Sequence, residues 1–470
     1  MMRRYRRDKL QEFIMQGSQS SVFDSELYFS LFTQPEMKEI WSDENLLRCW
    51  LTFESTIAQV QAELAIIPRD AAADISATCQ SLNIDWPRLA RETRSVGMAI
   101  KPLVDQIADA GTPLVKKYLH WGCTTQDLLD TALAMRMKQT LQLLRRQLVQ
   151  LSVMVKAMAL EHRHTVMVAR TNSVDASATT WGLHVSSYLS ELTRHLQRLD
   201  RLYPTATTGL FGGAVGNLAS VGSEGMVIRK QLMDALGLSC PIGMTNASQD
   251  HVVEAVQFFA LVHGTLCRMA NDVETQGRTS VAELREGEGG GGSSTMPHKT
   301  NPRASNMIQT LSRMGWTYAS GVTSLLDQCD VRAASMRVLN WTLVPESALA
   351  LSASLERAVR LFSCLVVDKE KMRGNFAASK NFIMSESVTM VLAEKIGRGA
   401  AYDLMKTLLK DADGSKDLLQ CVMTCRTIRD ALSEAEIVAA CDPLSYLGCN
   451  DALIEETVAA FDNYIHVRTA

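Results

Sequence analysis

Two serine hydroxyls, a lysine and an amide follow directly on a run of glycines in the segment Gly291-Gly292-Ser293-Ser294-Thr295-Met296-Pro297-His298-Lys299-Thr300-Asn301-Pro302. These groups can surround a carboxylate or a developing oxyanion, and glycine lets backbone N–H groups approach it closely. The same residues fit a turn or an N-cap, with Lys299 as a solvated cation. The glycine-rich run Gly287 to Gly292 is as a whole suited to neither helix nor strand. It reads as a loose linker on composition, or as a mobile catalytic loop on its position before polar residues.

Two further stretches gather polar side chains. One is His120-Trp121-Gly122-Cys123-Thr124-Thr125-Gln126-Asp127, continued by Asp130-Thr131-Ala132; the other runs from Arg170-Thr171-Asn172 through Asp175 to Thr179-Thr180-Trp181-Gly182. Thr124 and Thr125 also fit a helix cap before Asp127. The elements that carry these stretches read as helices. Only 11 prolines and 6% aromatic residues, beside 23 methionines, favour helix over strand. From Asp127 to His164 no Gly or Pro interrupts apolar residues recurring three and four apart, which predicts one long helix. Similar stretches at Gly182–Leu202, Asp250–Gln276 and Ser305–Asp327 predict an all-α bundle of long helices. Breaks are expected at Pro113, Pro204–Gly216, Cys240–Met244 and Gly287–Gly292. The chain divides into a basic tail over 1–20, an N-terminal helical domain over 21–125, a central long-helix domain over 126–367 and a C-terminal helical domain over 368–470. Helices this long often pack against other subunits, so an oligomer is implied.

Charge and composition exclude several partners. Lys and Arg total 48 against 51 Asp and Glu, a net charge of −3, so no basic surplus marks a nucleic-acid binder. No uninterrupted apolar run reaches the roughly 18 residues of a membrane span, so no membrane insertion is expected. The basic start lacks the continuous apolar stretch of a secretory signal. Eleven scattered cysteines without a CxxC pair read as free thiols of a cytoplasmic protein. No cluster has metal-ligand spacing, so neither a metal nor an organic cofactor is expected.

The stretch Gly291 to Pro302 resembles the GSSxMPxKxNP signature of the fumarase/aspartase superfamily, which includes adenylosuccinate lyase, argininosuccinate lyase and 3-carboxy-cis,cis-muconate cycloisomerase. His120 to Asp127 resembles the family's HxGxTSxD element with its DTA continuation, and Arg170 to Gly182 resembles the second element, from an RTH-like start to a TTFG-like end. The likeness extends from about Gln34 to Leu447, and Phe211 to Ala219 and Trp341 to Glu346 are most similar to the cycloisomerase branch. The resemblance implies an elongated three-domain subunit whose central helices form a tetrameric bundle, with active sites shared between subunits of a homotetramer and a small-molecule carboxylate as substrate.

The reaction implied is removal of a proton from the carbon beside a carboxylate, then loss of a group from the adjacent carbon. Its intermediate places a second negative charge on one carboxylate, for which preorganised cations and N–H dipoles are the remedy. By resemblance Ser293 is the general base, in a closed loop that excludes water and lowers its pKa. Lys299 stabilises the charge, and His120 stabilises the leaving side or supplies its proton. Thr124, Thr125, Thr171, Asn172, Ser294, Met296, Asn301, Gln249 and Arg332 would bind substrate. Departures from the pattern bear on the substrate. Asn172 stands where many members carry His and cycloisomerases carry Trp, and it cannot act as acid or base near pH 7. Gln249-Asp250-His251 replaces an Arg-Asp pair, so one guanidinium is missing. Leu31-Phe32 replaces the Arg-Tyr that grips a nucleotide phosphate in adenylosuccinate lyases, and Cys329 to Asn340 keeps only Arg332 and Arg337, so a nucleotide substrate is not expected.

Three functions compete. The first is cleavage of a carbon–nitrogen bond in a small succinyl or amino-dicarboxylate compound, with a fumarate-type product. The alternative is the muconate cycloisomerase reaction, in which a carboxylate adds across a double bond. The third is a non-catalytic structural member, of which the superfamily's crystallins are examples.

Overall fold

The computed structural model describes residues 21–287, 291–292, 294–410 and 416–469. The basic tail at 1–20 and Ser293 lie outside the described residues. Among those described the chain is mostly α-helical, and the departure from all-α is three two-stranded antiparallel sheets. The elements used below are helices α1 (Asp43–Glu63), α2 (Arg69–Ser81), α3 (Thr125–Glu161), α4 (Trp181–Ala206), α5 (Asp250–Gln276), α6 (Arg303–Val322) and α7 (Ala334–Ser363). The strands are β1 (Val166–Thr171), β2 (Val174–Thr180), β3 (Leu284–Arg285), β4 (Gly291–Gly292), β5 (Thr300–Asn301) and β6 (Val366–Val367), paired β1 with β2, β3 with β6 and β4 with β5.

Long apolar periodicity translated into helix closely. α5 has the expected bounds, while α4 continues through Pro204 to Ala206, so the break expected at Pro204 falls after it. Helix α7 holds Pro345 in its interior, where the ring removes a backbone hydrogen bond. An 18-residue window of α5 has mean hydropathy 1.2, enough by length and composition to cross a membrane, but 67% of that window is buried inside the fold, as in a core helix.

Contacts divide the chain into two units. Of the described residues, those within 21–147, 196–263 and 310–356 form the first and those within 148–195, 264–309 and 357–469 the second. In the first, α1 packs on α2, and Phe53, Ile57, Ile75, Ile100, Leu103 and Ile107 meet Leu128 of α3 and Phe211 in one buried cluster. Each such fully buried side chain stabilises the fold by about 1.5–3 kcal/mol. In the second, Val168 of β1 joins Met384, Val388, Leu392, Leu418, Val422 and Ile437 from the C-terminal helices.

The β1–β2 hairpin arises from a β-branched run and a two-residue loop. Thr171 pairs with Val174, and Asn172 and Ser173 between them both have positive φ, 51° and 65°, as a type I′ turn demands. At the start of α4, a Cβ on Gly182 would stand 2.5 Å from the Ala159 carbonyl oxygen and 2.6 Å from the Arg163 Cα, so the close approach there requires glycine.

Candidate active site

The His120 element is held from both sides by backbone and buried carboxylates of the first unit. Thr124 precedes the first turn of α3, and Asp127 reaches back to accept its N–H at 2.9 Å, a cap made by the third residue of the helix. The same carboxylate accepts from the N–H groups of Gly212 at 2.9 Å and Gly213 at 3.2 Å. Burial pushes the Asp127 carboxyl up to about 6 despite these three donors. The glycine at 122 is required: its φ is +73°, and a Cβ would meet Val221 at 2.5 Å.

His120 itself sits at φ +59°, and its Nδ1 lies 2.5 Å from Oε1 of Glu54, a fully buried residue of α1. Burial works against the charged ring, but the Glu54 carboxylate outweighs it and holds the His120 pKa above its ordinary value. No sequence motif pointed to Glu54. The available signal was a carboxylate placed among Trp50, Phe53, Ile57 and Ala58 on the buried stripe of α1.

Close to this element the first unit gathers the other residues expected there. Arg332 donates from Nη1 to the Thr124 hydroxyl at 3.3 Å. Thr125 begins α3 and is half-buried. Gln249 is buried; its amide donates to the Ser248 carbonyl at 2.9 Å, and its oxygen lies 3.5 Å from the Asn340 amide nitrogen. Asp130 accepts from Gln126 at 2.9 Å and faces Arg337 at 3.4 Å; burial raises its pKa, and the Arg337 charge works the other way. A cleft of about 410 Å³ is lined by Asp130, Thr205, Ser239, Ser248, Asp250 and His251.

The second unit holds the remaining candidates. Thr171 and Asn172 are exposed at the hairpin tip. One residue behind the tip, Arg170 makes two 2.7 Å hydrogen bonds to Glu283, which is fully buried and also accepts from Asn375 at 2.8 Å. The glycine-rich segment is partly a strand, contrary to the expectation from composition. Gly291 and Gly292 pair with Asn301 and Thr300, and the Asn301 amide donates to the Gly291 carbonyl at 3.3 Å. The ladder forms because the turn Met296–Lys299 folds the chain back, the Lys299 N–H donating to the Met296 carbonyl at 3.0 Å across Pro297 and His298. Glu286 then caps α6 by accepting from the N–H groups of Ala304 and Ser305 and from the Ser305 hydroxyl. Ser294, Met296 and Lys299 are exposed on this hairpin and Asn301 is half-buried. Among the described residues no group of three or more His, Cys, Asp or Glu side chains is arranged to hold a metal ion.

A family model described as lyase matches residues 31–314, and one described as adenylosuccinate lyase C-terminus matches residues 381–457. A 3-carboxy-cis,cis-muconate cycloisomerase of Bradyrhizobium diazoefficiens is 33% identical over 93% of this chain and 98% of its own. A trans-aconitate decarboxylase 1 of Mycosarcoma maydis is 34% identical over 89% of this chain and 85% of its own. The crystal structure of a 3-carboxy-cis,cis-muconate lactonizing enzyme from Pseudomonas putida matches with a TM-score of 0.89 and 30% identity, covering 94% of this chain and 100% of the other.

Proposed function

The chain belongs to the fumarase/aspartase superfamily of lyases, and from that premise we propose that this enzyme acts on a small unsaturated tricarboxylate by a cycloisomerase reaction. The observation that carries the reading is the likeness to the lactonizing enzyme over nearly the whole chain. The acids named in the two relatives, 3-carboxy-cis,cis-muconate and trans-aconitate, share three carboxylates and carbon–carbon unsaturation. Asn172 supports it as well. A departing amine needs a proton, which Asn172 cannot give near pH 7, whereas a departing carboxylate leaves as an anion and needs none. Cycloisomerisation therefore takes precedence over carbon–nitrogen cleavage.

In ring closure a carboxylate oxygen bonds to one carbon of a double bond and a proton is added to the other. In ring opening, base removes that proton, its electron pair forms the double bond, and the carbon–oxygen bond breaks with its electrons on the carboxylate. Ser293 handles the proton in this reading, and Lys299 with the loop amides carries the second charge on the neighbouring carboxylate. Thr124, Thr125, Ser294 and Asn301 grip the carboxylates. Arg332, beside Thr124, supplies a guanidinium where Gln249 lacks one, and Thr171, Asn172 and Met296 are the further substrate-binding residues of this reading. No metal or organic cofactor is invoked.

The test is to incubate the purified enzyme with 3-carboxy-cis,cis-muconate and follow loss of the diene absorbance as lactone forms, beside trans-aconitate and a panel of succinyl-amines. Lactone formation is expected. Fumarate release from a succinyl-amine without lactone would overturn the reading, and carbon dioxide release from trans-aconitate alone would move the protein to decarboxylation. The same reading makes the protein a homotetramer with shared sites; light scattering that showed an active monomer would defeat it.

A further inference from the structure

We propose that Glu54 is a positioning residue that keeps His120 as an imidazolium, so that His120 meets the substrate as a fixed cation rather than as a proton donor. This deepens the cycloisomerase reading and rests on its placing of His120 at the substrate.

The geometry is specific. Glu54 is fully buried on α1, its Oε1 lies 2.5 Å from the His120 Nδ1, and its Oε2 has no hydrogen-bond partner among the described residues. A carboxylate removed from water with one ring N–H as its partner is stabilised most when that ring is positively charged. Seven residues along the same helix, Gln61 donates to the Trp121 carbonyl at 2.8 Å, so α1 fixes both the ring of His120 and the backbone that follows it. His120 adopts φ +59°, an uncommon backbone state that this two-point hold sustains.

The other groups acting on the pair reinforce the charge. Asp127, from α3, adds a second negative field at the ring. Cys123, in the same loop, and Cys79, on α2, lie close enough to feel Glu54, and burial together with that carboxylate pushes both thiols up, so they stay neutral. With Nδ1 held by Glu54, Nε2 carries the second proton of the imidazolium and is a donor to an anion. A neutral ring with the same Nδ1–H bond would present a lone pair there, which repels a carboxylate. For a reaction whose leaving group is a carboxylate, a permanent cation is the useful form, because the group departs with its electron pair and takes no proton.

The experiment is a pH titration of the full-length enzyme labelled with 13C at histidine Cε1, followed by NMR, with His120→Asn used to assign the signal. In the wild type the His120 signal is expected to stay in its imidazolium position through pH 7. In Glu54→Gln its midpoint should fall by about 1 unit or more, and the alkaline limb of the kcat/KM profile should move to lower pH by the same amount, with Glu54→Asp intermediate. A signal that titrates at the same pH with and without the carboxylate, or a neutral His120 at pH 7 in the wild type, would overturn the proposal; the second outcome needs no Glu54 variant to fold. If the titration behaves as expected but carboxymuconate gives no lactone, the pairing stands and only the cycloisomerase reading fails.

Discussion

Ser293→Ala is expected to lower kcat by at least roughly 100-fold while KM and folding change little, because only a proton-transfer role in the transition state is removed. The β4–β5 hairpin is built from other residues. Its root is the pairing of Gly291 and Gly292 with Asn301 and Thr300, and its turn is closed by Lys299 and Met296. The paired variant Ser294→Ala removes one carboxylate donor and should be milder. Steady-state kinetics on both, with circular dichroism as the check on folding, decide the matter. A dead Ser294 variant beside an active Ser293 variant would show that the base has been assigned to the wrong serine.

Arg170→Met is expected to destabilise the protein by about 3–5 kcal/mol, the cost of leaving a buried charge without its partner. Glu283 is fully buried and takes two 2.7 Å bonds from this guanidinium, so the variant strands the carboxylate rather than merely losing a surface contact. Asp175, which also meets Arg170, is exposed, and Asp175→Asn should cost less than about 1 kcal/mol. Urea unfolding measures both, and Arg170→Met combined with Glu283→Gln should recover part of the loss because the two residues are coupled. A loss below about 1 kcal/mol for Arg170→Met would mean that the clamp does not hold the hairpin.

The sequence was most informative where one physical signal acted alone. Apolar recurrence over Asp250–Gln276 fixed both ends of α5, because Asp250 opens the helix and Gly277 follows it. It failed where a local rule was overridden. A break was expected at Pro204, yet α4 continues through it to Ala206, where burial of Leu202 and Ala206 outweighs one lost backbone bond. The glycine run hid a strand pairing because glycine has no β propensity of its own, and the ladder is set by the turn at Pro297. For the candidate site, signature residues were legible at once, since chemistry restricts their type. Glu54 and Glu283 were not legible: they are 66 and 113 residues from His120 and Arg170, and only the fold shows which buried carboxylate meets which cation.

The hairpin tip carries a consequence for how this lineage can change its chemistry. Asn172 and Ser173 both occupy the left-handed region, where Asn, Asp and His are the side chains most readily accepted besides glycine. Exchange of Asn for His at position 172 is thus nearly silent for the backbone, and in the genetic code it is a single-base step from AAC to CAC. A bulky Trp at the same place is costlier for the turn. Gain or loss of an ionisable ring at this tip is therefore within reach of one mutation with little folding penalty, whereas a move to the tryptophan form requires the turn itself to be remade.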